Sequence, residues 1–164
     1  MLPGVGAFDA GVAALDRLDL RQPILDRVAA GTPLLGICLG MQLLFERSEE
    51  GSARGLACLR GRCVRFSGGA FKGRDALKVP HMGWNEVRPR DQTTLFRGMA
   101  TDAAFYFVHS FHCACDRDED VLARATYGTD FVAAVQRGNV YGTQFHPEKS
   151  HKHGMRLLQS FARL

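Results

Sequence analysis

Three observations put this sequence in the α/β class. A short apolar run, Pro33-Leu34-Leu35, leads into Gly36-Ile37-Cys38-Leu39-Gly40, and an amphipathic helical pattern follows through Glu46. That order reads as a strand, a tight turn and a helix. Eighteen glycines suit a chain with many tight strand-to-helix turns. At 164 residues and 46% hydrophobic content, the chain has the size of one domain with one buried core, so a single domain over residues 1–164 is expected.

The elements follow in order. Residues 9–20 alternate Ala, Val and Leu with polar residues at helical spacing, and residues 22–30 resume that pattern. Gly31-Thr32-Pro33 breaks it. The strand and turn around Cys38 come next, then a helix to about Arg47 and a loop over residues 48–54. Residues 59–66 suit a strand and Ser67-Gly68-Gly69 a turn. Residues 78–87 hold Val79-Pro80-His81-Met82-Gly83-Trp84-Asn85, whose proline and glycine predict an irregular loop feeding a short strand. Residues 104–112 form an aromatic, β-rich strand, and residues 121–127 another. Residues 130–137 and 139–145 read as a hairpin turning at Arg137-Gly138-Asn139. Residues 154–164 close the chain as an amphipathic helix, with Met155, Leu158, Phe161 and Ala162 on one face. The beginning is unusual. Met1-Leu2-Pro3-Gly4 enters a turn with no strand ahead, whereas parallel α/β folds ordinarily begin with a strand.

Composition narrows the function. No run approaches the roughly 20 apolar residues of a membrane span, and no basic, then apolar leader opens the chain. A cytoplasmic protein with no membrane association is expected. The net charge is +4, but the arginines are scattered; the densest group, Arg60, Arg62 and Arg65, reads as a solvated face rather than a nucleic-acid site. The five cysteines are odd in number and are expected to stay reduced. Cys113 and Cys115, near His109 and His112, lack a second pair at metal-ligand spacing, and His151 and His153 lie in a polar loop, so no metal is expected.

The chemistry gathers at two places. Cys38 at the apex of a strand-turn-helix matches the geometry that exposes a nucleophile, the serine version of which serves hydrolases. The flanking glycines tolerate close backbone contacts and unusual dihedrals there, and the helix dipole is expected to lower the thiol pKa. Read without that context, Cys38 is a small buried hydrophobe. The second place is Tyr141-Gly142-Thr143-Gln144-Phe145-His146-Pro147-Glu148-Lys149-Ser150. A cysteine nucleophile needs an imidazole to exchange protons, and the imidazole needs an acceptor to fix its tautomer. His146 and Glu148, separated by a stiffening proline, supply both; His81, His109 and His112 compete for the base role.

Together, Gly36-Ile37-Cys38-Leu39-Gly40-Met41-Gln42 and His146-Pro147-Glu148 resemble the class I, triad-type glutamine amidotransferases. Pro3-Gly4-Val5-Gly6-Ala7-Phe8, Lys78 through Asn85, Tyr106-Phe107-Val108-His109-Ser110-Phe111 and His146 through Ser150 look like one branch, the glutaminase subunit of imidazole glycerol phosphate synthase from histidine biosynthesis. The resemblance implies an open, mostly parallel sheet flanked by helices, a flavodoxin-like fold. It implies that the first strands are missing, because family members carry two further strands and a helix, and the strand into Pro-Gly-Val-Gly, before this point. It implies glutamine as substrate, Cys38, His146 and Glu148 as the catalytic triad, and no cofactor. The oxyanion would be received by the Leu39 N–H and the Gly4-Val5-Gly6 segment. Gln42, with the backbone of His109, Ser110 and Phe111, would hold the α-amino and carboxylate groups, and Glu46, one helical turn after Gln42, is a further candidate. Ammonia would pass to a (β/α)₈-barrel cyclase subunit in a heterodimer, with Met82, Trp84 and Lys149 in the partner-facing loops. The alternatives are a glutaminase serving another synthase, a docking subunit without activity, or a cysteine hydrolase acting on γ-glutamyl compounds.

Overall fold

The computed structural model describes residues 1–90 and 94–164. Its strands and helices run β1 (Leu2–Gly4), α1 (Phe8–Arg17), α2 (Arg21–Ala29), β2 (Leu34–Cys38), α3 (Leu39–Leu43), β3 (Arg47–Ser48), β4 (Gly61–Arg65), β5 (His81–Glu86), β6 (Arg88–Pro89), β7 (Ala104–His109), β8 (Phe111–Cys115), β9 (Val121–Thr126), β10 (Asp130–Arg137), β11 (Val140–Thr143) and α4 (His151–Phe161). The main sheet has the order β1-β2-β11-β10-β8-β4-β3, with β9 on β10 and β6 on β9. β1, β2 and β11 are parallel, which is the part that carries the strand-turn-helix; the sheet then continues through antiparallel pairings of β10 with β11, β8 and β9. β5 and β7 form a separate antiparallel pair. The α/β class is thus observed, with helices packed on a twisted sheet.

Two apolar clusters lie on the two faces of that sheet. Leu35 and Ile37 of β2 point into one, with Phe105, Phe107, Phe131, Phe145 and Leu157. Phe8, Val12 and Leu15 of α1 pack into the other, with Leu39, Met41, Leu43 and Phe45. Their spacing of three to four residues is the amphipathic stripe read from the sequence. α1 lacks a side-chain cap of its own, so its first N–H groups are met from a distance. The Phe8 N–H donates to the Glu50 carboxylate at 2.8 Å, and the Asp9 carboxylate accepts from the N–H groups of Ser52 and Ala53. α2 has no fully buried residue and rests on the second cluster through partly buried Ile24, Leu25 and Val28.

The hairpin of β10 and β11 forms as expected, with Gly138 at φ +57° in its turn. Five expectations change. Met1-Leu2-Pro3-Gly4, read as entering a turn with no strand, holds β1, whose Leu2, Pro3 and Gly4 pair in parallel with Gly36, Ile37 and Cys38 of β2. The helix after Cys38 stops at Leu43 rather than near Arg47. Its end is met by the returning chain: the N–H groups of Leu56, Leu59, Ala57 and Gly55 donate to the carbonyls of Leu43, Leu44, Phe45 and Glu46. Those cross-chain bonds replace the next helical turn. The segment expected to be mostly irregular holds a six-residue strand, β5, paired along its whole length with β7. The aromatic strand is two strands, because the chain leaves one sheet for the other at Ser110. There the Phe66 N–H donates to the Ser110 carbonyl, and the His109 ring nitrogen Nδ1 donates to the Phe111 carbonyl. The closing helix begins at His151 and buries Gly154 and Leu157, while Met155 is 54% exposed. Gly154 packs on the Pro147 carbonyl so closely that a Cβ would sit 1.8 Å from its oxygen. No helix among the described residues is long and apolar enough to cross a membrane.

Candidate active site

The strand-turn-helix around Cys38 is built by close backbone packing. A Cβ on Gly36 would lie 2.6 Å from the Gly40 carbonyl oxygen, and one on Gly40 would lie 1.7 Å from that of Leu2. Glycine is therefore required at both positions by space, so that α3 can lie against β2 and β1. The unusual dihedral belongs to the cysteine itself: Cys38 has φ +54° and ψ −110°. A cysteine held in a sparsely populated region is a feature of functional turns. Gly4 of β1 pairs with Cys38, so the strand delivers Val5 and Gly6 to the mouth of the site.

A cavity of about 300 Å³ opens there, lined by Val5, Gly6, Cys38, Leu39, Gln42, Glu50, Pro80, Val108, His109, Ser110, Phe111 and His146. Gly4 lines an adjoining recess of about 250 Å³ with Pro3, Val5, Ile37, His146 and Glu148. Within hydrogen-bond reach of the His146 ring is Glu148, whose Oε1 accepts from Nδ1 at 2.7 Å. That bond fixes the tautomer and leaves Nε2 with a lone pair, and Nε2 is buried with no hydrogen-bond partner in the structure. An unpaired buried nitrogen is costly unless something else uses it. The loop is anchored from behind. Ser150 Oγ donates to the His146 carbonyl at 2.6 Å and accepts from the Tyr106 N–H, and the His146 N–H donates to the Tyr106 carbonyl.

The thiol does not follow the helix-dipole expectation. Burial pushes Cys38 up to about 11, and the Glu148 carboxylate adds to the rise, while the Leu39 N–H and the Gln144 amide oppose it. A five-residue helix has little dipole with which to offset desolvation. The other histidines are poorly suited to exchanging protons. Burial holds His81 down to about 4 and His109 down to about 3, and their ring nitrogens bond to each other at 3.0 Å. His112 is likewise held low by burial.

Most of the remaining expected residues converge. Gln42, Leu39, Val5, Gly6 and the 109–111 segment share the cavity with Cys38. Glu46 does not: it is exposed, and its carboxylate accepts from the Gly61 N–H at 3.2 Å. The helical spacing from Gln42 fails because the helix ends at Leu43. Met82 and Trp84 are 62% and 50% exposed on β5. Trp84 stacks on His151 with centroids 5.2 Å apart, and Lys149 Nζ lies over the Tyr106 ring, so these residues form one surface beside the site. Sequence reasoning passed over Gln144, Ser150 and Glu50. Gln144 is fully buried, donates to Cys38 Sγ at 3.8 Å and accepts from Gln42 at 3.1 Å. A polar side chain two residues before His146 was the available signal. Cys113 faces Cys63 across β4 and β8, sulfur to sulfur at 3.5 Å, and lies away from this cavity.

Residues 1–163 match the model of the family described as glutamine amidotransferase class-I. The chain is 44% identical over 166 residues to imidazole glycerol phosphate synthase subunit HisH of Leptospira borgpetersenii, covering all of this chain and 80% of that protein. It is 46% identical over 165 residues to the HisH subunit of Bdellovibrio bacteriovorus, with the same coverage. Among solved structures, it superposes on PurLQS from Thermotoga maritima with a TM-score of 0.64 at 21% identity, covering 88% of this chain and 67% of that one. A glutamine amidotransferase from the same organism gives 0.61 at 18% identity, covering 98% and 59%. At those identities the structures speak to the fold alone. The sequence matches, which span the whole length of the chain, establish that it belongs to the class-I glutamine amidotransferase family.

Proposed function

We propose that this chain hydrolyses glutamine to glutamate and ammonia, as the glutaminase of an imidazole glycerol phosphate synthase in histidine biosynthesis. The observation that carries the reading is the pairing of a tautomer-fixed His146, whose Nε2 is unengaged, with a strained Cys38 on the same cavity. Because the thiol is pushed up, thiolate forms by proton transfer to His146 Nε2 when substrate arrives, and Glu148 stabilises the resulting imidazolium. The sulfur attacks the carboxamide carbon. The tetrahedral oxyanion is received by the Leu39 N–H and by N–H groups of the Gly4-Val5-Gly6 segment. The imidazolium then protonates the departing nitrogen, and ammonia leaves as the thioester forms. Water, deprotonated by His146, hydrolyses the thioester and regenerates the thiol. Gln42 and the backbone of His109, Ser110 and Phe111 hold the amino-acid end of the substrate; Glu46 is too far round the chain to take part.

The ammonia passes to a cyclase subunit of (β/α)₈-barrel type in a heterodimer in the cytoplasm. Two of the similar proteins are named as subunits of that synthase, and the exposed Met82, Trp84 and Lys149 adjoin the site. A glutaminase of another synthase is the second reading, and identities of 44% and 46% to HisH subunits over the full chain favour the first. The test is ammonia release from glutamine by this chain mixed with a cyclase subunit. Turnover abolished by Cys38→Ala supports the reading. No turnover under any condition leaves a docking subunit instead.

A further inference from the structure

A continuous run of hydrogen bonds links the exposed edge of β5 to the sulfur of Cys38. Asn85 Nδ2 donates to His81 Nε2 at 3.4 Å and to the Thr126 carbonyl at 2.8 Å. His81 Nδ1 meets His109 Nε2 at 3.0 Å, and His109 Nδ1 meets the Phe111 carbonyl at 2.8 Å. A carbonyl only accepts, so His109 carries its proton on Nδ1, and its Nε2 must accept. His81 therefore also carries its proton on Nδ1, which leaves its Nε2 to accept from Asn85. From the other side, Gln42 Nε2 donates both to the Phe111 carbonyl and to Gln144 Oε1, each at 3.1 Å. Gln144 Nε2 donates to Cys38 Sγ at 3.8 Å. Every member has a single allowed protonation pattern and a single direction of donation.

We propose that His81, Asn85 and Gln144 are positioning residues, acting through Gln42 and the Phe111 carbonyl to hold the Cys38 sulfur and the 109–111 wall of the cavity in their working geometry. Two facts on the packing support it. His81 is 3% and His109 5% exposed, and His81 is stacked between Tyr127 and Phe107, with centroids 4.1 Å and 4.9 Å away. Neither ring can turn to water for a partner, so the loss of one bond is passed to the next. Burial also keeps both imidazoles neutral, as the one-directional pattern requires. The Phe111 carbonyl accepts from two donors held by different elements, so its peptide is fixed against rotation, and that peptide lines the cavity. At the far end, the Gln144 amide opposes the rise that burial imposes on the thiol, so its orientation bears on how readily thiolate forms.

The inference rests on the glutaminase reading for its kinetic arm but not for its chemical one. The chemical arm measures the rate at which iodoacetamide alkylates Cys38 in the folded full chain, followed by mass of the Cys38 peptide. His81→Leu removes both of its bonds at similar volume and is expected to slow alkylation about tenfold. His81→Asn, which places an amide nitrogen where Nδ1 was, is expected to restore it to within about threefold. Asn85→Ala lies at a half-buried position that leaves the core intact, so it folds even where His81→Leu does not, and it is expected to slow alkylation about threefold. In the kinetic arm, with the cyclase present, the same variants are expected to lower kcat/KM by similar factors, with both kcat and KM affected because the 109–111 wall also holds the substrate, whereas a defect of folding alone would lower the titratable Cys38 instead. Wild-type alkylation rates in folded His81→Leu or Asn85→Ala overturn the proposal. A wild-type complex that releases no ammonia overturns the glutaminase reading and leaves the alkylation result to decide this one.

Discussion

Replacing Glu148 by Gln isolates the contribution of one carboxylate to the chemistry. The bond it makes, Oε1 to His146 Nδ1 at 2.7 Å, is short, and the two side chains are 49% and 3% exposed. In the proposed mechanism this bond joins an imidazole to a carboxylate before proton transfer and becomes an ion pair afterwards, so it strengthens as the barrier is climbed. Hydrogen bonds to charged groups contribute about 1.5–3 kcal/mol, and half exposure of the carboxylate places this one near 2 kcal/mol. At about 1.4 kcal/mol per tenfold, kcat is expected to fall about 30-fold. KM should change little, because Glu148 lines only the adjoining recess and not the cavity that holds Cys38. Glutamate production at saturating cyclase measures both, and the thermal midpoint should stay within about 2 °C, since little is buried with this side chain. A kcat within threefold of wild type refutes the assignment of Glu148. So does a loss of rate that tracks a loss of folded protein.

Three further outcomes are expected. Gly40→Ala puts a Cβ 1.7 Å from the Leu2 carbonyl oxygen, a backbone contact that cannot yield, and should cost more than about 3 kcal/mol in urea unfolding; Gly69→Ala, with nothing within 4 Å, should stay within about 0.5 kcal/mol, and equal effects would discredit the packing argument. His81 and His109 bind fewer protons folded than unfolded below neutrality, so stability is full above about pH 6.5 and drains as the pH falls toward 4. His81 alone should cost about 2 kcal/mol between pH 7.5 and pH 5, and denaturant midpoints that stay level over that range would contradict neutral burial. Trp84→Ala removes a half-exposed aromatic that stacks on His151 and, edge-on, on Tyr106, so the thermal midpoint should hold while affinity for the cyclase falls about 30-fold by calorimetry; unchanged affinity would remove Trp84 from the docking surface.

Much of the candidate site's local geometry was legible in sequence. Gly36 and Gly40 around Cys38 marked the tight turn, and the short path from His146 to Glu148 across one proline made their contact almost unavoidable. The hairpin at Gly138 was readable for the same reason: its chemistry is confined to a few adjacent residues. What failed was reasoning that extended a local pattern past a tertiary contact. Glu46 looked like a neighbour of Gln42 only if the helix continued, and the helix was cut short by N–H groups from residues 55–59. Met155 fitted the apolar face of α4 by spacing, yet α4 turns Gly154 and Leu157 inward because Gly154 alone can lie on Pro147.

By itself, then, the order of residues determined which groups could do chemistry and how the backbone bends at each, since dihedral preference and steric demand act over a few bonds. The environment of those groups was decided only in three dimensions. Whether Cys38 is an acidic or a reluctant thiol depends on how much water the packed sheet and helix exclude, and exclusion prevailed over a short dipole. The partnership of Gln144, Gln42 and the buried histidines spans 106 residues between Gln144 and Cys38 and crosses several strands, and no spacing rule reaches that far. Solvent exclusion and long-range hydrogen bonding belong to the folded whole, because they exist only once distant segments share the same small volume.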